Sequence, residues 1–166
     1  MQATNRIATY ALLLSLSLAA ACSGVNGRSR ALPPELKALR TSLEPYSSLT
    51  LAQNAGYTAA ITDCMSNGDV GAMGVHFGNP TLIDGTLDEL KPEVLVFEPG
   101  TNGEMSLVGV EFVIPFTQLA RTAPAPTLFG QVFSANDVFG LWALHVWTHR
   151  ANPSGLFAPW NPRVHC

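Results

Sequence analysis

Positive charge is scarce in this chain and nowhere concentrated. Of nine lysines and arginines, Arg6 lies near the amino terminus, and the other eight are scattered from Arg28 to Arg163 among twelve acids. Nucleic-acid binding needs a clustered basic face, so that class of partner is excluded. Long apolar runs are also missing beyond the first residues, where no segment approaches the roughly 20 residues that cross a bilayer. The familiar reaction signatures are absent too: there is no Gly-rich phosphate loop, HExxH, GxSxG, CxxC or CxxCH. Nucleotide hydrolysis, the commonest zinc-protease and serine-hydrolase layouts, dithiol redox chemistry and covalent haem therefore have no foothold. Cysteine is limited to Cys22, Cys64 and Cys166.

What is present begins with an export signal. Arg6 and the amino terminus form a small positive region, followed by the uncharged run 7–21 with Leu12, Leu13, Leu14, Leu16 and Leu18 at its centre. It closes on Ala19-Ala20-Ala21-Cys22. A positive start, a short apolar core and small closing residues are the three parts of a secretory signal, so residues 1–21 are expected to be a signal peptide. The small residues before Cys22 resemble the lipobox of bacterial lipoproteins, although the place three residues before the cysteine, where that pattern prefers leucine, holds Ala19, and Leu18 is one position further back. The resemblance implies a lipid on Cys22 and a membrane partner through that anchor. The alternative is cleavage after Ala21 with Cys22 unmodified. Three cysteines leave one unpaired unless one has another task; lipidation of Cys22 leaves Cys64 and Cys166 as a pair. An exported chain, periplasmic or outer-membrane associated and otherwise secreted, meets the oxidising conditions that favour such a bond. Asp63 and Asp69 near Cys64 argue against the rival reading, a reactive thiolate, because that needs a nearby cation.

Counted from Cys22, eight basic and twelve acidic residues give a formal charge of −4. Residues 22–31 are polar with Gly and Ser and read as a flexible tether; 32–166 is long enough for one domain. Pro33-Pro34-Glu35 opens a helix whose stripe is Leu32, Leu36, Leu39 and Leu43. A second short helix through Leu49, Leu51 and Ala52 stops at Gly56. Extended chain is expected at Met73–Gly78. A hairpin follows, Glu93–Glu98 and Met105–Pro115 around the turn Pro99-Gly100-Thr101-Asn102-Gly103. Leu128–Phe133 reads as one more strand. The stretch 139–149 reads as a strand buried on both faces, although Ser134 and Asp137 resemble a helix capping box. The tail 152–166 is irregular and anchored by Trp160. The fold class is therefore α+β, with N-terminal helices followed by a small antiparallel β-sheet and an irregular C-terminal tail.

Four histidines carry the available chemistry, His76, His145, His149 and His165. His145 and His149 could share an ion on a helix, but on a strand they lie about 13 Å apart. Glu111 stands in the apolar strand Leu107-Val-Gly-Val-Glu-Phe-Val-Ile-Pro115, where alternation puts Val108, Val110, Phe112 and Ile114 on one face. A carboxylate there faces water or is buried with a partner; Arg150, His76 and His145 are the candidates. His76, Glu111 and His145 are thus the expected metal and ligand residues, with Trp147 as a wall and a divalent transition metal as the possible cofactor. Three readings stay open: a binding domain for a small ligand or metal, an acid–base enzyme using Glu111 or His145, and a structural or protein-partner module with no site.

Three segments, Met73-Gly-Val-His-Phe-Gly-Asn-Pro80, Val108-Gly-Val-Glu-Phe-Val113 and Leu144-His-Val-Trp147 with Asn152-Pro-Ser-Gly155 and Trp160-Asn-Pro162, resemble a group of small exported bacterial proteins with no assigned activity. That resemblance implies export and a single domain, and no reaction.

Overall fold

The computed structural model describes residues 32–166. The expected signal peptide, the expected tether and Cys22 lie outside the described residues. Helix α1, Pro34–Ser42, begins with proline in its first turn, with Glu35 at the positive end of the dipole and Arg40 at the negative end. Its stripe Leu36, Leu39 and Leu43 is fully buried. Helix α2, Leu49–Asn54, is capped by the Ser48 hydroxyl, which accepts from Leu51 N–H. Gly56, at φ 99°, takes the left-handed turn that ends it.

The rest is strand and loop: β1 (Ala59–Ser66), β2 (Ala72–Gly78), β3 (Val94–Pro99), β4 (Met105–Pro115), β5 (Thr127–Leu128), β6 (Gln131–Val132), β7 (Ser134–Asn136) and β8 (Leu141–Val146). Six of them form one antiparallel sheet in the order β1-β2-β3-β4-β8-β7. The β3–β4 hairpin stands where its turn residues placed it. The 139–149 stretch is strand over Leu141–Val146. Ser134 belongs to β7 and caps no helix; Asn136 Oδ1 instead accepts from Val138 and Phe139 N–H and turns the chain toward β8.

Two expectations need correction here. Leu128–Phe133 is not one strand. Phe129 and Gly130 both adopt positive φ, 51° and 70°, and fold it into the two-residue hairpin turn between β5 and β6. The alternation read along β4 also breaks at a bulge. Val96 faces Gly109 and Phe97 faces Leu107, so Val108 is the extra residue. Leu107 joins the main core with Val110, Phe112 and Ile114, and Val108 turns to the opposite face.

The sheet therefore buries both faces. One packs Phe77, Leu95, Phe97, Phe112, Trp142 and Val146 against the leucines of the helical segment. The other holds a smaller cluster of Ala72, Val96, Val108, Trp147 and Val164. The tail covers this second face. Its hold is not Trp160, which is only half-buried, but Asn161 in a bridge to Ala72, buried Val164, and a disulfide between Cys64 and Cys166.

Candidate metal centre

His76, Glu111 and His145 come from β2, β4 and β8, and the sheet brings all three to the tail-covered face. Glu111 and His145 are direct cross-strand partners. His76 is two strands from Glu111, with β3 between them placing Val96 beside His76 and Val94 beside Glu111. Neighbouring strands lie about 4.8 Å apart, so the two side chains lean across roughly 10 Å to meet above β3. His76 Nε2 lies 3.8 Å from Glu111 Oε2 and 3.1 Å from His145 Nε2. One donor atom from each residue falls within 4.8 Å of the other two.

Burial sets their protonation. His76 and His145 are almost wholly removed from water. Desolvation lowers His76 to about 4, and desolvation followed by the neighbouring His76 lowers His145 to about 3. Glu111, whose side chain keeps 17 % exposure, is raised to about 7 by desolvation. Burial thus pushes both partners of the His76–Glu111 contact toward their neutral forms. His76 Nδ1 lies 2.8 Å from Thr62 Oγ1. If Nδ1–H donates to that hydroxyl, the lone pair sits on Nε2, the atom that faces the cluster. Two facing Nε2 lone pairs at 3.1 Å repel unless a proton or a cation stands between them.

A cation suits two of the three spacings. Zinc bonds nitrogen at about 2.0–2.1 Å, so tetrahedral ligands sit about 3.3 Å from one another. Two of the separations, 3.1 and 3.8 Å, bracket that value, and the third, between Glu111 and His145, is wider, within 4.8 Å, so those two side chains draw together when one ion binds all three. Two imidazoles and one carboxylate are also the donor set of open, ligand-exchanging metal centres. Access exists on one side: Glu111 and His145 line a cleft of about 460 Å³ together with Met73, Ser134 and Phe157.

The structure also reassigns several residues. Trp147 is buried and does not line the cleft; its ring packs on His145 with centroids 5.1 Å apart, and its Nε1 donates to Ala158 O. It holds an imidazole in place and is not a ligand wall. Gly109 makes room for it, since a Cβ there would come 2.8 Å from Val146 O and 3.4 Å from the Trp147 ring. Arg150 pairs with Glu98, not Glu111, and Glu98 also accepts from His165 N–H. His149 bonds Thr148 and is outside the cluster. Two further polar residues carry no clear mark in the sequence. Thr62 lies on β1, a strand with no clean alternation. Glu93, just before β3 and outside the cluster, is buried, accepting from Val113 N–H, and desolvation raises it to about 7. Its place beside an apolar run was the available signal.

Among known proteins, no family model, no curated sequence and no solved structure matches this chain.

Proposed function

We propose that residues 32–166 form a metal-binding domain of an exported, lipid-anchored envelope protein, with a divalent transition-metal ion held by His76 Nε2, His145 Nε2 and the Glu111 carboxylate. The observation that carries this reading is the spacing: three donors from three strands, within 4.8 Å of one another, in a set that suits zinc or a similar ion. A positively charged ion also supplies the desolvated Glu111 carboxylate with a counter-charge. The Cys64–Cys166 bond is compatible with export, because oxidising compartments preserve such bonds.

The test is stoichiometry. Metal-stripped protein titrated with zinc in a calorimeter is expected to bind one equivalent per chain. His76→Ala and His145→Ala are each expected to abolish that binding while leaving the far-UV circular dichroism unchanged. Uptake that is equally strong in both variants, or no uptake at all by the parent protein, contradicts the reading.

A further inference from the structure

We infer, on the basis of the metal reading above, that the cleft beside Glu111 and His145 takes a small amphipathic carboxylate, its anionic head on the open position of the ion and its apolar body along Val132, Val138 and Phe157.

Charge selects the head group. Two neutral imidazoles and one carboxylate leave a divalent ion with one uncompensated positive charge, in a partly desolvated place where that charge is poorly screened. His76 does not line the cleft, whereas Glu111 and His145 do, so the exchangeable side of the centre faces the cleft. Among the described residues, none of those lining the cleft is a lysine or arginine. Its one other charged lining residue, Asp137, is occupied by Arg121, whose Nε lies 2.8 Å from Asp137 Oδ1. An anion entering here has the ion as its counter-charge.

The walls select the body. Val138 is 90 % exposed and Val132 64 % exposed, and both line the cleft, where an apolar ligand body would cover them. Phe157 and Met73 extend that surface toward the cluster. Gln131 and Ser134 supply neutral polar groups and add no charge. The volume of about 460 Å³ lies at the low end of small-molecule sites, which suits an acid of a few carbons to a single ring.

The experiment uses full-length protein loaded with cobalt(II), whose visible bands report on its coordination. Acetate and hexanoate are both expected to shift those bands saturably. Hexanoate is expected to bind at least about tenfold more tightly, the gain from burying roughly two of its additional methylenes. Val132→Ser combined with Val138→Ser, both on exposed positions, is expected to remove most of that advantage without changing cobalt affinity or acetate binding. Bands that form on cobalt addition but respond to neither acid overturn the inference and leave the metal centre standing. Equal affinity for the two acids overturns the role of the apolar wall. If no cobalt bands form, the metal reading fails and this inference falls with it.

Discussion

Three side chains decide whether this molecule has chemistry. His76, Glu111 and His145 are individually unremarkable residues on apolar strands, and their value lies in where their outer atoms meet. Removing a ligand should therefore cost far more than removing a neighbour. Thr62→Val, which deletes only the hydroxyl beside His76 Nδ1, is expected to weaken zinc binding about 10–100-fold, in the usual range for the partner of a ligating histidine. Competition with a chelator measures this; an unchanged affinity would show that Thr62 does not orient the ring. Glu93 makes a separate prediction about pH. Its carboxyl is raised from the ordinary 4.5 to about 7, so the folded state favours the protonated form. The stabilisation is present in full below about pH 4.5 and is lost as pH rises through about 7. At about 1.4 kcal/mol per unit, the loss is on the order of 3 kcal/mol. Glu93→Gln keeps an acceptor for Val113 N–H and is expected to be flatter than the parent across that window in urea denaturation. Parallel pH profiles for the two proteins contradict this assignment.

At the scale of elements, the site depends on strand register. Cross-strand pairing puts Glu111 opposite His145, and a one-residue slip of β8 would turn His145 into the main core. The bulge at Val108 matters in the same way, because it moves an apolar side chain to the face that carries Trp147 and packs it with that ring's cluster. Gly109 is the tight point. Gly109→Ala is expected to destabilise the domain by about 1–3 kcal/mol, through overpacking against Val146 and Trp147. Tryptophan fluorescence of the native state should shift as the Trp147 ring is displaced; a stable variant with an unaltered spectrum refutes this packing role. Much at this scale was legible beforehand. The leucine stripe of α1 and the turn chemistry of the β3–β4 hairpin are local signals and fall where expected. The strand at Leu141–Val146 showed in its β-branched and aromatic content. The bulge, the Phe129-Gly130 turn and β1 were not legible, because each is fixed by a partner strand, and alternation along one segment carries no record of its neighbour. The three site residues were legible as candidates; that Arg150 serves Glu98 and that Trp147 stacks on His145 followed only from the tertiary register.

Across the whole molecule, the tail and its disulfide complete the second face of the sheet. Cys64 and Cys166 are 102 residues apart, so the bond constrains nearly the whole domain. Replacing both by serine is expected to cost about 2–5 kcal/mol in chemical denaturation. A variant as stable as the parent contradicts a structural role for the bond. The same tail carries Val164 onto the cluster that includes Trp147, which ties closure of the chain to the packing behind His145. Export and lipidation are tested apart from the site: mass analysis of mature protein from cells is expected to find Cys22 as a lipid-bearing amino terminus, and an unmodified Cys22 removes the anchor. The account as a whole stands on an ion at the meeting point of three strands. Anomalous diffraction from crystals grown with zinc should show one strong peak about 2.0–2.2 Å from His76 Nε2, His145 Nε2 and a Glu111 carboxylate oxygen. A peak confined to other residues, or ordered side chains in their present positions with no peak between them, contradicts it.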